Sequence, residues 1–432
     1  VEPAEGIAGA VADGENDVPA CKRPLRSVLN PADTRYAAIL RLKSRQARTE
    51  ADFAAEAQHL FPQVLNDVEQ HICPDVRFGV VEDFLLRTEA YKLLTDDGKA
   101  YSYTIDGDSF TLPYAAEWYG IIYNKKIIND YASKDYAVIK SADDIKDYKT
   151  LKAVAESINE HKDDLGVDGA FATPGLDASD TYRFSAHMGR IPLYYEYKDM
   201  NTTFSKTIKG TYLDNYKDLF DLELETSPTD PSLVSSKTYD DVTSEFALGQ
   251  VAFYPNGVWA YTQIKGNEVA DDDLGMLPYY MGIKGEEESG PAGVYDASWA
   301  VNKNASDKDK QATLDFIKWM VTDDEAKKIL SQDMGFSVPF TTFDGDEFQP
   351  DNPLTKIARS YAADGKTEVR SFTVPDQQWQ DDVAAALIEY AQGTGDWSKV
   401  KSAYVDGWAT EWNNNEESLG SVPQAQKFDQ QG

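Results

Sequence analysis

The sequence predicts an α/β protein with more than one domain. The chain has 432 residues, which is more than one hydrophobic core usually supports. Apolar residues make up 41% and charged residues 27% of the chain, a globular composition. Beyond residue 90, short apolar runs typical of strands alternate with amphipathic helical segments. That alternation is the pattern of an α/β fold.

Four short segments predict individual elements of this fold. Residues 120–123 form an apolar run that indicates a strand. Residues 312–320 indicate a helix, because their apolar side chains recur on one face. Residues 323–326 include three acidic side chains and indicate the start of a helix, whose N-terminal end favours negative charge. Residues 383–390 indicate a further helix.

The charge of the chain excludes several classes of partner. Acidic residues number 74 and basic residues 42, so the net charge is −32. A surface this negative repels phosphate backbones and anionic lipid, which predicts no nucleic-acid partner. The four histidines are scattered without the spacing of metal ligands, and no phosphate-binding loop is present. We therefore expect no metal and no cofactor.

The two cysteines leave several possibilities open. Cys21 and Cys73 could form one disulfide, which the sequence alone does not establish. Cys21 also ends a Val-Pro-Ala-Cys stretch that loosely resembles a bacterial lipoprotein cleavage box, so it is a candidate lipid anchor. Residues 12–17 before it are polar rather than apolar, unlike a signal peptide.

The composition of the chain changes near residue 90. Residues 1–90 contain 8 Arg and 2 Lys, whereas residues 91–432 contain 4 Arg and 28 Lys. All eight tryptophans lie at or beyond Trp118. Residues 1–90 are therefore predicted to be an atypical N-terminal segment within the first structural part.

Aromatic residues point to a ligand class. They make up 12% of this polar chain and occur in groups. Sugars pack their C–H faces on flat rings, and their hydroxyls bond to carboxylates, amides and guanidinium groups. The groups therefore indicate a carbohydrate site, although Tyr and Trp also fill hydrophobic cores.

Four segments together carry a family resemblance. They are residues 112–125, residues 246–260, residues 299–305 with the helix that follows them, and Trp379 with the downstream Trp397 and Trp408. In this order and spacing they resemble the extracellular solute-binding proteins of bacterial carbohydrate importers, the maltose-binding-like family.

The resemblance implies a type II periplasmic-binding-protein fold, in which two α/β lobes are joined by crossing hinge segments. The first lobe would comprise residues 1–113 and 277–322, and the second residues 114–276 and 323–420. Residues 421–432 would form a flexible tail. Residues 1–90 do not match the strand, helix and strand with which family members open.

Candidate ligand-binding residues come from the resemblance and from the residues themselves. The resemblance implies a hydrogen-bonding carboxylate at Glu117 and stacking rings at Trp259 and Trp379. Near them, Tyr182 could stack, Arg183 could bind two adjacent hydroxyls and His187 could donate a hydrogen bond. The alternatives are that Arg183 pairs with a surface carboxylate and that His187 is a buried histidine, which for His187 is the favoured interpretation. Three further candidates are Asp296 and Trp299, which could face the predicted cleft, and Asn256. Asn256 precedes Gly257 in a predicted turn, so a turn role competes with ligand contact there.

The function that the resemblance implies is binding without catalysis. The chain would capture a neutral oligosaccharide outside the cell, as a monomer, and deliver it to the permease subunits of an ABC transporter. It would be extracellular, with lipid anchoring through Cys21 as an option. The alternatives are a secreted glycoside hydrolase, which needs two paired carboxylates, and a non-catalytic surface interaction module.

Overall fold

The computed structural model describes residues 88–102, 104–105, 108–295, 297–302, 304–419 and 422–428. All of them belong to one unit of the chain, Ile72–Gly432. Asp296, Cys21 and Cys73, which the sequence marked as candidates, lie outside the described residues.

The described residues form both strands and helices. The strands are β1 Thr104–Ile105, β2 Asp108–Ser109, β3 Leu112–Pro113, β4 Glu117–Asn124, β5 Gly169–Phe171, β6 Val251–Gly257, β7 Leu274–Leu277, β8 Ser289–Val294, β9 Ser298–Trp299 and β10 Thr367–Arg370. The α-helices are α1 Glu89–Leu93, α2 Asp96–Ala100, α3 Lys125–Ala132, α4 Tyr148–Glu160, α5 Lys162–Leu165, α6 Gly189–Met200, α7 Leu213–Thr226, α8 Tyr239–Ala247, α9 Tyr261–Ile264, α10 Asp307–Thr322, α11 Asp324–Lys328, α12 Pro353–Ala363, α13 Gln377–Ala391 and α14 Trp397–Leu419.

Shorter helical turns connect these elements. The 3-10 turns are Ala142–Asp144, Pro231–Ser236, Val258–Ala260, Asp271–Asp273, Glu286–Glu288, Thr341–Phe343 and Asp346–Phe348, and the π-helices are Arg183–Met188 and Ile329–Asp333.

A six-stranded mixed sheet organises the second lobe. Its central strand, β4, pairs antiparallel with β6 on one side and with β8 and β7 on the other. β10 extends the sheet parallel to β8, and β5 extends it parallel to β6. Consecutive residues of β4 enter different cores, Ile121 on one face and Ile122 on the other. Both faces of β4 are therefore covered, which explains its continuous apolar run.

The four local predictions are confirmed. Residues 120–123 lie in β4, residues 312–320 in α10 and residues 383–390 in α13. The acidic start at 323–326 is also present, because Asp323 accepts hydrogen bonds from the amides of Glu325 and Ala326 at 3.0 and 3.1 Å and so caps α11.

Paired strands carry the chain between the lobes. β3 and β9 are antiparallel, with Leu112 opposite Trp299 and Pro113 opposite Ser298. β4 starts shortly after β3 and β8 ends shortly before β9, so both connections leave the second-lobe sheet at the same place.

The second predicted lobe limit, at Leu277, differs from the strand pairing in the structure. β8 lies beyond Leu277 and still pairs with β4, with Val294 opposite Glu117. Because β7 and β8 occupy the same side of one strand, residues 277–294 remain in the second-lobe sheet. The chain leaves that sheet between Val294 and β9.

The limit predicted at Thr322 is also displaced. The Thr342 hydroxyl donates to the carbonyl of Val321 at 2.6 Å, which places Thr342 beside the end of α10. The side-chain amide of Asn352 then donates to the carbonyl of Val258 at 2.8 Å, in the second lobe. These two hydrogen bonds place the return to the second lobe between Thr342 and Asn352, later in the chain than predicted.

Residues 422–428, which were predicted to belong to a flexible tail from 421 to 432, are docked on the second lobe. The backbone amide of Thr203 donates to the Gln426 carbonyl, and the Gln426 amide donates to the Thr203 hydroxyl, both at 3.0 Å. Phe428 packs against the main hydrophobic core of this lobe. We call residues 422–428 the terminal strap.

Hydropathy along the helices bears on membrane insertion. Within the part of the chain that the structure describes, no helix combines the length and the apolar character that a membrane span requires.

Candidate functional site

Four strand ends of the second-lobe sheet meet at one edge. β4 begins there at Glu117, opposite Val294 at the end of β8. β6 and β10 run toward the same edge and end at Gly257 and Arg370. Ligands of open α/β sheets bind in the crevice outside the carboxyl ends of the strands. This cleft edge, which adjoins the crossing strands β3 and β9, is therefore the candidate site.

Four rings meet at the cleft edge, and we call them the ring cluster. The imidazole of His187 stacks on Tyr119 with ring centroids 4.4 Å apart and planes 21° from parallel. The Tyr182 ring contacts His187 edge-on at 5.2 Å, and the Trp259 ring lies 5.1 Å from His187. Trp259 Nε1 donates a hydrogen bond to the Tyr182 hydroxyl at 3.2 Å. Three of the residues predicted from the sequence, Tyr182, His187 and Trp259, are thus brought together.

A π-helix supplies two members of the cluster. Tyr182 immediately precedes the π-helix Arg183–Met188, and His187 lies within it. A π-helix has an i→i+5 repeat, so residues five apart lie over one another. This wide turn places His187 next to the ring of Tyr182. Such turns occur frequently at functional sites.

Trp259 depends on a glycine. A Cβ atom at Gly257 would lie 2.1 Å from two carbons of the Trp259 ring. Real Cβ atoms do not approach that closely, so only glycine lets the indole lie against the backbone at the end of β6. One side of the ring is therefore occupied by the protein's own backbone.

The outer and inner members of the cluster differ in exposure. Trp259 and Tyr182 are half-buried, whereas Tyr119 and His187 are buried beneath them. Glu117 is also half-buried and lies two residues before Tyr119 in β4, so both side chains leave the same face of the sheet. A ligand at the cleft edge would therefore meet Trp259 and Tyr182 first, with Glu117 on the adjoining strand.

Arg183 is not available to bind sugar hydroxyls directly, contrary to the sequence prediction. Its side chain is 1% exposed. Its Nε and Nη2 atoms donate to the two carboxylate oxygens of Asp180, and Nη1 donates to the carbonyl of Pro255 at 2.7 Å. Its donors are directed into the protein.

Asn256 is likewise in the interior, so of the two roles that the sequence left open the structure fits the turn and not the ligand contact. It is 1% exposed, its amide donates to the Tyr254 hydroxyl, and its Oδ1 accepts from the Gly257 backbone at 2.8 Å. Asn256 therefore shapes the end of β6. This is the turn role that small amide side chains commonly have.

Trp379 lies in the hydrophobic core of the second lobe instead of on the cleft. It is fully buried, with Tyr404 and Trp408 packed edge-on against it at 5.1 and 5.3 Å. Its Nε1 donates to the carbonyl of Tyr404 at 2.9 Å, which joins α13 to α14. The stacking role implied by the resemblance does not fit this burial.

We expect Trp379→Phe to destabilise the fold by about 2–3 kcal/mol and to leave ligand affinity within about twofold of native. The smaller ring leaves a void and removes the donor to Tyr404. Urea unfolding measures the first effect and calorimetric titration the second. Native stability combined with weak binding would instead support a stacking role.

Trp299 lies on the crossing strand β9. Its indole stacks on Tyr114 with centroids 4.5 Å apart and planes 13° from parallel. It is half-buried. This position, between the lobes, is compatible with the cleft contact that the sequence suggested, although Trp299 does not belong to the ring cluster.

A second aromatic group at the same edge escaped the sequence prediction. Tyr101 stacks on Tyr295 with centroids 3.8 Å apart. The carboxylate of Glu368 accepts from Trp118 Nε1 at 2.7 Å and from the Tyr101 hydroxyl at 3.3 Å. Burial raises the pKa of the Tyr101 phenol, and the Glu368 charge raises it further. The sequence did contain one indication of this group, because Tyr295 immediately precedes the candidate residue Asp296.

The chemistry of the ring cluster favours an uncharged ligand. Its members offer ring faces, phenols and an imidazole, and the nearby Arg183 is neutralised by Asp180. Among the described residues, no three His, Cys, Asp or Glu side chains are arranged to hold a metal ion.

The profile of one protein family matches most of the chain. It is described as "Bacterial extracellular solute-binding protein", and it matches residues 45–354. The match begins inside the segment 1–90. The sequence prediction that this whole segment departs from the family pattern is therefore corrected for residues 45–90.

Individual relatives agree with this assignment. The chain is 26% identical over 230 residues to a maltotriose-binding protein of Pyrococcus abyssi, covering 53% of this chain and 44% of that protein. It thus spans less than half of that relative. Among solved structures, a chitin oligosaccharide binding protein shares 20% identity with a TM-score of 0.58, covering 79% of this chain and 80% of the other. RafE in complex with raffinose shares 17% identity with a TM-score of 0.55, covering 90% and 98%. These structural similarities show the two-lobed fold.

Proposed function

Because the chain belongs to the bacterial extracellular solute-binding proteins, a family of binding proteins and not of catalysts, we propose that it captures a neutral oligosaccharide in the cleft. We further propose that it delivers the sugar, as a monomer, to the permease subunits of an ABC importer. The ring cluster is the observation that supports this proposal. Relatives named for binding maltotriose, chitin oligosaccharide and raffinose support the same ligand class.

The geometry of the cluster supports sugar binding. The exposed side of the Trp259 indole offers a flat surface for the C–H face of a pyranose ring. Glu117, on the adjoining strand, offers carboxylate oxygens that accept hydrogen bonds from sugar hydroxyls. The second aromatic group, Tyr101 and Tyr295, lies at the same edge, and its rings are candidates to contact a further sugar ring. We therefore favour an oligosaccharide over a single sugar.

Calorimetric titration of the full chain tests the proposal. Maltotriose, raffinose and a chitin trisaccharide are titrated separately, and each mixture is then analysed by chromatography for cleavage. We expect saturable binding of at least one sugar and no product. Cleavage would identify a hydrolase, and failure of a wider panel of oligosaccharides to bind would favour a surface interaction module.

The location of the protein is partly established by its family. Its members are described as extracellular. Attachment to the outer face of the cytoplasmic membrane through Cys21 stays a prediction, because that residue lies outside the described part of the chain.

A further inference from the structure

Three separate segments of the second lobe meet at the guanidinium group of Arg183. Asp180, in the turn before the π-helix, accepts hydrogen bonds from Nε and Nη2. The carbonyl of Pro255, in β6, accepts from Nη1 at 2.7 Å. The carbonyl of Thr173, which follows β5, accepts from Nη2 at 3.4 Å. Arg183 thus connects the π-helix, to which it belongs, with the ends of β5 and β6.

Each connection leads to a member of the ring cluster. Tyr182 immediately precedes Arg183 in the chain, and His187 is in the same π-helix. Pro255 lies four residues before Trp259, at the end of β6. The distance between the π-helix and the end of β6 therefore sets the distance between Tyr182 and Trp259. Arg183 fixes that distance without belonging to the cluster.

The Thr173 connection is itself held in place. Glu245, in α8, accepts from the Thr173 amide at 2.7 Å and from its hydroxyl at 2.8 Å. The Arg183 guanidinium also lies over the rings of Phe184 and Tyr254, at 4.9 and 5.3 Å from their centroids. The guanidinium is therefore in contact with two aromatic rings as well as with its hydrogen-bond acceptors.

We infer that Arg183 is a positioning residue for ligand binding, which holds Tyr182 and His187 at the correct separation from Trp259. This inference rests on the proposed function for its effect on affinity. Arginine is required because its planar fork can donate to Asp180 and Pro255 at the same time. The single ammonium group of a lysine cannot reproduce that geometry.

The variant Arg183→Lys tests this role with a readout that needs no ligand. The indole N–H resonance of Trp259 is assigned by its absence from the spectrum of Trp259→Phe, and the His187 ring resonances by their absence from that of His187→Gln. In Arg183→Lys we expect both sets of resonances to move, because the Trp259–Tyr182 bond and the stack on Tyr119 are displaced. Affinity for the sugar identified by titration is expected to fall at least tenfold.

Glu286→Gln is the matched control. Glu286 is also buried in this lobe, and its carboxylate accepts from the backbone amides of Tyr148, Met281, Gly282 and Ile283. Its loss lowers stability through a contact outside the ring cluster. Asp180→Asn replaces Arg183→Lys if the latter does not fold, because it removes the carboxylate charge but retains an acceptor for Nε.

Two outcomes would overturn the inference. One is an Arg183→Lys protein with reduced stability but native resonances of Trp259 and His187. The other is an equal displacement of those resonances in Glu286→Gln. If the native protein binds no sugar, the proposed function fails, whereas the resonances still decide whether Arg183 positions the rings.

Discussion

Replacing Trp259 with alanine is expected to weaken binding of the sugar ligand by roughly 30- to 150-fold, equivalent to about 2–3 kcal/mol. The substitution removes the outer ring of the cluster and the Nε1 donor to Tyr182. Trp259→Phe retains a ring but loses that donor, so its affinity should lie between native and alanine. Calorimetric titration of the three proteins gives the series. An alanine variant with native affinity would show that the ligand binds elsewhere.

The Trp259 ring can also be displaced without mutating Trp259 itself. In Gly257→Ala the new methyl group would meet the Trp259 ring at 2.1 Å, so the indole must move. We expect a loss of affinity comparable to that of Trp259→Ala. Gly345→Ala is the matched control, because a Cβ there has ordinary contacts of 3.6 Å or more. Similar losses of affinity in Gly257→Ala and Trp259→Ala would show that binding depends on the orientation of the Trp259 ring.

Glu223→Gln is expected to stabilise the protein increasingly as pH rises. Glu223 is fully buried in α7, and neither carboxyl oxygen has a hydrogen-bond partner among the described residues. Burial raises the pKa of its carboxyl group well above the usual range, although the charge of Arg183 opposes the shift. The folded protein therefore retains the Glu223 proton to a higher pH than the unfolded chain does.

The sign of the effect follows from proton binding. Above a pH of about 4.3 the unfolded chain loses the Glu223 proton while the folded protein keeps it. Glu223 thus lowers the free energy of unfolding by up to about 1.4 kcal/mol for each pH unit between the unfolded and folded pKa values. Glutamine cannot ionise, so Glu223→Gln removes this pH-dependent decrease in the free energy of unfolding.

Urea unfolding at pH 5 and pH 7 measures the effect. The stability gap between Glu223→Gln and native protein should widen from pH 5 to pH 7, by at most about 1.4 kcal/mol for each pH unit. The surface substitution Glu268→Gln serves as the control for pH effects elsewhere in the protein. A gap that does not change with pH would mean that Glu223 is ionised in the folded state.

Local patterns predicted the elements of the fold well. The apolar run of β4, the periodicity of α10 and the acidic cap at Asp323 each depend on neighbours within a few residues. The lobe limits were harder to predict, because they depend on which strands pair. Nothing in residues 277–294 indicates that β8 would add to the edge of β4.

The candidate site was predicted by residue type but not by depth. Tyr182, His187 and Trp259 were selected from two segments about 70 residues apart, and the structure brings them together. Arg183, Asn256 and Trp379 were selected for the same chemistry and are buried. Whether a polar or aromatic side chain faces a cleft or a core depends on contacts that are distant in sequence, such as those of Arg183 with Pro255 and Trp379 with Tyr404.

The terminal strap has a practical consequence for measuring lobe closure. Because Gln426 and Phe428 are fixed to the second lobe, a fluorophore on the exposed Lys427 would move with that lobe alone. A second fluorophore on the exposed Lys308, in α10, would follow the first lobe. The energy transfer between them would then report the opening and closing of a single molecule as sugar arrives and leaves.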